Sequence, residues 1–546
     1  MSQQRARLAF SSFHSSERGA GSSTTRPTTA RWRKPLLTLV SVGMLALSLA
    51  ACGGGGTSSG GAVKSGGTLN VGLDSDAVTL DPLKSSALVD RQVMLNMYDT
   101  LVRVDAQNKI QPDLATVWSY PSPTQLVFTL RSDVKFEDGA PFNADAVVTN
   151  INRILNNPTS PRHSEISSVA SVQAVDATHV QFNLSKPFGP LLAALTDRAG
   201  MMLSPTAISS GANLASAPKN AGSGPFEFSD WVKGDHLTLT RNPNYWGKTS
   251  SGTALPYLDK IVYHPITNES VMYTNLETNT IQVADVVGPT DVAAAKANPA
   301  LTYKQISALS FFGIELNTQA APFNNANARR AVSWGVNRQE IVNSVLHGVG
   351  VVAQGPISPT SWAYSSSIAP YSYDTSKAKA ELQAGGLSSL SFTLTIPSGS
   401  PANAQEAQFL QSELQAAGIT MTIKQETFAS LLSDSASHNF QAALLGWSGR
   451  PDPDGNMYSW FHTGGGFNDM QYSNPQVDTL LEQARASNDQ TQRATDYQQA
   501  ETLMLQDAPY VFINHGVAIQ ATSKNVQGYT VLPTGIMEFE QVSLGS

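Results

Sequence analysis

Cys52 is the only cysteine among the 546 residues, so no intramolecular disulfide and no cysteine-rich zinc site can brace the fold of this chain. Its folded body must be held by an apolar core. The setting of that cysteine says where the body resides. It ends Leu49-Ala50-Ala51-Cys52, follows the basic stretch Arg31-Trp32-Arg33-Lys34 and an uncharged, leucine-rich segment from Pro35 to Ala51, and precedes Gly53-Gly54-Gly55-Gly56. This is the pattern of a signal peptide cut just before a cysteine whose sulfur then carries diacylglycerol. The apolar segment is shorter than the roughly 20 residues that a spanning helix needs. The sequence therefore predicts a lipoprotein, lipidated at Cys52 and anchored to a membrane on its periplasmic or otherwise extracytoplasmic side. Residues 1–51 would be signal peptide and leader, and residues 52–67, mostly Gly, Ser and Thr, a flexible tether.

Residues 1–52 hold seven of the 35 Lys and Arg and one of the 42 Asp and Glu, which leaves the rest of the chain with a formal charge of −13. That sign argues against nucleic acid as a partner. A hydrophobic content of 41% is that of a globular protein. Length divided by about 150 gives roughly three domains. No long apolar run follows the leader, so the body is expected to be soluble.

Leu69, Val71 and Leu73 alternate with small or polar neighbours as in a strand, and the folded part is placed from Thr68 onward. Thr79-Leu80-Asp81-Pro82 breaks that pattern before a helix predicted from about Ala87 to Leu101. A strand over Val127 to Arg131 and a turn at Asp138-Gly139-Ala140-Pro141 lead to a helix that Asn143 can cap, with Val147, Val148, Ile151, Ile154 and Leu155 on one face. In the second half, Phe392, Leu394 and Ile396 read as a strand. A helix with Ala407, Leu410, Leu414 and Ala417 on one face follows and stops at Gly418. Ile419, Met421 and Ile423 form the next strand, another helix follows, and Ala442-Ala443-Leu444-Leu445 reads as a short buried strand. Strands alternating with helices predict an α/β fold with a parallel or mixed sheet. In such sheets ligands bind beyond the carboxyl ends of the strands, where Gly446-Trp447-Ser448-Gly449-Arg450 falls. Further helices are predicted over about Pro475 to Ala486, capped by Asn474, and Arg493 to Gln506.

Enzyme signatures are sparse. Gly56-Thr57-Ser58-Ser59-Gly60 spells the nucleophile-elbow pattern but lies in the tether, with no strand before it and no helix after it. No phosphate-binding G-x-x-x-x-G-K-[ST] loop and no H-E-x-x-H pair occur, and the nine histidines include no close pair at ligand spacing. No catalytic residue, metal ligand or cofactor is assigned. Asp452-Pro453-Asp454 offers two carboxylates, with prolines at 451 and 453 restricting the backbone. They either shape the loop, pair with a ligand or an arginine, or hold a metal. Arg450 either pairs with these aspartates or binds a substrate carboxylate through its planar fork. Trp447 is either core or a flat wall for a bound solute.

Several ordered blocks resemble the large substrate-binding proteins of ABC importers, solute-binding family 5, the dipeptide, oligopeptide and nickel group. They include Val134-Lys135-Phe136-Glu137-Asp138-Gly139 with Pro141-Phe142-Asn143-Ala144-Asp145, then Gly222-Ser223-Gly224-Pro225-Phe226, and Arg241-Asn242-Pro243-Asn244-Tyr245-Trp246. Arg329-Arg330-Ala331-Val332 with Val336-Asn337-Arg338, and Tyr472-Ser473-Asn474-Pro475 with Asp478, complete the series.

The resemblance implies a two-lobed periplasmic-binding-protein type II fold with an extra subdomain inserted in the first lobe. Lobe I would run over 68–305, with the insertion at about 105–215, and lobe II over 306–517, with residues 518–546 returning to lobe I. It implies a monomer that closes on a small peptide or peptide-like ligand and presents it to an ABC permease and ATPase complex. Ser86, Ala87 and Leu88 would offer backbone pairing, and Trp447, Ser448, Gly449 and Arg450 would meet the ligand from the other lobe. Peptide-binding relatives typically place an aspartate for the ligand's amino group where Arg450 stands, so a carboxylate-bearing ligand suits this chain better. A lipid-anchored hydrolase and a peptide-sensing or holdase lipoprotein are the alternatives.

Overall fold

A computed structural model describes residues 64–369 and 371–545. Cys52, the leader and most of the tether lie outside the described residues. Leu69, Val71 and Leu73 are buried in the strand Thr68–Leu73, which sits inside a seven-stranded sheet. It pairs in parallel with Lys260–Pro265 on one side and Val283–Ala284 on the other. His236–Arg241 and then Phe226–Val232 extend the sheet beyond Lys260–Pro265, while Val517–Ser523 and then Leu301–Ser307 complete the opposite edge.

A second, six-stranded sheet carries the alternating half of the sequence. The strand Leu390–Pro397 pairs in parallel with both Ile419–Glu426 and Ala442–Trp447. The helix Pro401–Ala416 crosses between the first two and buries Ala407, Leu410 and Leu414. Ser400 caps that helix, its Oγ accepting from Asn403 N at 3.1 Å, and Gly418 leaves it with φ +81°. Phe311–Leu316 lies antiparallel to Ala442–Trp447, so the sheet is mixed.

A four-stranded antiparallel sheet, ordered Ala115–Ser122, Gln125–Leu130, His179–Leu184, Val169–Ala174, falls in sequence between strands of the first sheet. It has its own core with the helix Ala144–Leu155, where Phe128 meets Phe182 edge-on and Val147 and Ile151 are fully buried. Asn143 caps the helix as expected, accepting from Ala146 N at 3.0 Å.

The helix predicted from Ala87 to Leu101 is confined to Leu88–Met94. Asn96 ends it by docking the far end of the chain. Its amide donates to the Met537 carbonyl and accepts from Phe539 N, both at 2.9 Å.

The chain passes between the seven-stranded and six-stranded sheets twice, at two adjacent places. One pass joins Leu301–Ser307 to Phe311–Leu316, and the other, a single Gly516, joins Tyr510–His515 to Val517–Ser523. Ala308 N donates to the Gly516 carbonyl at 3.2 Å, and the buried His515 ring bonds the Ser310 carbonyl at 3.0 Å. These passes divide the protein into two lobes, the first holding the seven- and four-stranded sheets and the second the six-stranded one.

Candidate ligand-binding cleft

Trp447 is the last residue of the strand Ala442–Trp447, and the loop after it turns at Gly449, where φ is +80°. A Cβ there would lie 2.4 Å from the Leu309 carbonyl group, so only glycine fits. Asn456 clamps the loop: its Oδ1 accepts from Trp447 Nε1 at 3.0 Å and Arg450 N at 2.8 Å, and its Nδ2 donates to the Arg450 carbonyl at 3.0 Å. The Trp447 ring is buried against Trp460 and Phe467. The Arg450 guanidinium lies over it at 4.1 Å from the centroid, so the flat face of Trp447 supports an arginine.

Arg450 points across to the first lobe. Its Nε lies 2.9 Å from Asp197 Oδ2, and Arg91 Nε lies 3.1 Å from the other oxygen. Arg198 Nε is 3.5 Å from that same oxygen, and the fully buried Arg162 contacts Glu165 at 3.0 Å nearby. Ser448 Oγ accepts from both Arg450 Nη1 and Arg91 Nη1, at 3.2 and 3.3 Å, joining the lobes a second time. Burial alone would raise the Asp197 carboxyl, but Arg450, Arg91, Arg198 and Arg162 outweigh it and hold the group well below the usual carboxylate range. Burial and mutual repulsion lower Arg91 well below its ordinary value, against the pull of Asp197. Arg450 Nη2 has no hydrogen-bond partner among the described residues, and none of the Arg162 guanidinium nitrogens has one. Arg91, Arg198 and Arg450 thus share Asp197, and Arg162 pairs with Glu165, so four guanidiniums meet two carboxylates.

Neither Asp452 nor Asp454 pairs with Arg450. Asp454 is held by both arms of Arg485, at 2.8 and 2.9 Å, and Asp452 by Arg493 at 2.6 Å. Arg485 also lies 3.2 Å from the Tyr458 ring centroid and donates to Ser167 Oγ and the Ser164 carbonyl of the first lobe, both at 3.0 Å. Among the described residues no three acidic, histidine or cysteine side chains converge to hold a metal ion.

Ala87 is buried, and its carbonyl accepts from Arg198 Nη1 at 3.0 Å, so this backbone group is taken up by the arginine cluster. Ser86 and Leu88 flank it, half-buried, at the start of the helix Leu88–Met94. Sequence reasoning missed Arg91, Arg162, Asp197 and Arg198. Asp197-Arg198 was findable, because a charged pair interrupts the otherwise apolar run from Leu191 to Leu203. Arg91 and Arg450 line one cavity of about 720 Å³, part of it open solvent, together with Leu532, Thr534 and Ile536 from the C-terminal segment.

Two α/β lobes joined by two adjacent passes, with charged groups of both facing a common cavity, define a protein that binds a solute between its lobes. Residues 109–468 match the family of bacterial extracellular solute-binding proteins, family 5. The chain belongs to that family, the solute-capturing components of ABC importers. It is 30% identical to the probable D,D-dipeptide-binding periplasmic protein DdpA of Escherichia coli strain K12, over 85% of this chain and 92% of that protein. It is 28% identical to the glutathione-binding protein GsiB of Escherichia coli O1:K1, over 87% of this chain and 94% of that one. Its fold matches the ABC transporter-associated periplasmic binding protein DppA from Helicobacter pylori in complex with the peptide STSA. The TM-score is 0.81 at 27% identity, covering 88% of this chain and 99% of that chain. No described helix is long and apolar enough to cross a membrane.

Proposed function

We propose that this protein captures a small peptide or peptide-like solute by a carboxylate, gripped between Arg91 of the first lobe and Arg450 of the second, and delivers it unaltered to an ABC permease. The observation that carries this reading is that Arg91, Arg198 and Arg450 share a single carboxylate, Asp197, in the cleft. Buried charge without a counterion is costly, and a ligand carboxylate supplies the counterion in the bidentate geometry that guanidinium favours. The relatives named for dipeptides and glutathione are in keeping with it, since both ligands carry carboxylates. A charged contact that reaches both lobes favours the closed arrangement, as a hinged receptor requires.

Lobe I over 68–305 with the insertion at about 105–215, lobe II over 306–517 and the return over 518–546 is our division of the chain. It is supported by the two passes at 308–310 and Gly516. We read the protein as a monomeric binding protein rather than an enzyme, tethered outside the cytoplasm through a lipid on Cys52, with Ser86, Ala87, Leu88, Trp447, Ser448, Gly449 and Arg450 around the ligand. Calorimetry with dipeptides and their C-terminal amides is the test. The carboxylate form is expected to bind at least tenfold more tightly, and equal affinities would overturn the reading. A Cys52→Ala variant is expected to leave the membrane fraction.

A further inference from the structure

The subdomain inserted in the first lobe lies against the second lobe, and two glycines show how closely. Gly189 follows the strand His179–Leu184, and its N donates to the Arg485 carbonyl at 3.0 Å. A Cβ on Gly189 would stand 2.6 Å from the Ser487 carbonyl oxygen. Gly466 lies in the loop after the helix Asp454–Phe461, and a Cβ there would stand 2.9 Å from both Pro161 Cα and Ser164 Oγ. At each position the three nearest atoms beyond the chain neighbours all belong to the opposite lobe. Neither glycine has the positive φ that otherwise calls for this residue, so the close approach of the facing lobe is what excludes a side chain. Gly399 is different: a Cβ there would stand 2.4 Å from Thr267 Oγ1, but its φ of +97° calls for glycine in any case.

Polar and aromatic contacts surround the two glycines. Arg485, which donates to Ser164 and Ser167, also lies 4.9 Å from the centroid of the Phe188 ring. Phe467, next to Gly466, faces Arg162 at 5.5 Å. Lys186 pairs with Glu482 at the exposed margin, where an ion pair contributes little. Every first-lobe residue in this set belongs to the insertion, and none of the set lines the cavity of Arg91 and Arg450. The contact is therefore made by protein on protein, outside the space that a solute would fill.

We infer that the inserted subdomain is a closure clasp: it holds the second lobe directly, so that the closed arrangement is populated before any ligand binds, and Gly189 and Gly466 are the positions that let the two surfaces meet. A ligand that touches both lobes binds the closed arrangement, and its apparent affinity is the intrinsic affinity scaled by the fraction of protein already closed. The clasp thus multiplies the affinity of every ligand by one common factor, whatever group the ligand presents, while the residues that line the cavity decide which ligand is preferred.

The test compares the full chain with its Gly189→Ala and Gly466→Ala variants. Small-angle X-ray scattering without ligand is expected to give a larger radius of gyration for each variant than for the parent. Calorimetry with the tightest-binding dipeptide and with its C-terminal amide is expected to show both weakened by the same factor, about tenfold for a tenfold fall in the closed fraction, with the preference between them kept. Unchanged unliganded radii in both variants, unaltered affinities, or a weakening confined to one of the two ligands would overturn the inference. If no dipeptide binds, the carboxylate reading fails and the radii alone decide the clasp. Should circular dichroism show that a glycine variant does not fold, the double variant Lys186→Ala/Ser167→Ala removes contacts without adding bulk. It is expected to weaken both ligands equally, by about twofold to threefold, and parent-like affinity and radius in it would overturn the clasp.

Discussion

Two sets of buried arginines meet carboxylates in this protein, and they differ in stoichiometry. In the second lobe the pairing is one to one, Arg485 with Asp454 and Arg493 with Asp452. At the cleft, Arg91, Arg162, Arg198 and Arg450 share the field of Asp197. A matched pair closes on itself and holds the fold. An unmatched set leaves charge over for a partner, so the imbalance marks where a solute is received.

The largest effect expected from breaking this contrast is on folding. Arg485→Ala strands Asp454 in the interior and removes the contacts to Tyr458, Ser164 and Ser167, a loss of about 3–5 kcal/mol. Urea denaturation measures it, and no peptide ligand is expected to restore it. Asp197→Asn is expected to destabilise on the same scale at most, because Arg91, Arg198 and Arg450 lose the carboxylate they share. Here a bound carboxylate ligand should restore melting temperature by a larger increment than it adds to the parent protein. Equal increments would show that Asp197 and the ligand do not serve the same arginines.

Arg450→Ala is expected to weaken a carboxylate ligand by about 1.5–3 kcal/mol, the scale of a hydrogen bond to a charged group, as read by calorimetry. Its cost to folding should be smaller than that of Arg485→Ala, since Asp197 keeps Arg91 and Arg198.

The smallest effect is a slope with pH. Burial raises Asp113 to about 6, Glu538 and Glu406 to about 7, and Glu137 and Glu501 to about 8. In the unfolded chain such acids titrate near about 4, so between that value and their folded values the native state holds more protons than the unfolded one. Stability contributed in this way falls as pH rises through the window. The melting temperature should be higher at pH 5.5 than at pH 8.

The fold was legible wherever a local signal declares itself. Alternation at Leu69, Val71 and Leu73, the Asn143 cap and the Asn474-Pro475 start are properties of a few adjacent residues, and strands separated by helices imply parallel pairing. Even Arg450 could be singled out, because it follows a buried strand. Its true partner could not, since Asp197 lies 253 positions earlier and the nearer Asp452 and Asp454 look equally suitable until Arg485 and Arg493 are seen to hold them. The predicted helix through Leu101 failed for the same reason. Nothing local reveals that Asn96 binds the chain near Met537 and Phe539.

The paired passes at 308–310 and Gly516 have a mechanical consequence. Two neighbouring points of suspension define a line, and a body hung from two points swings about that line far more readily than it twists around a perpendicular one. Opening of the lobes about that line would carry Arg450 and Asp197 apart along an arc. Registration of the cleft then comes from the suspension together with the contacts of Ser448 and Arg485 across the facing lobes.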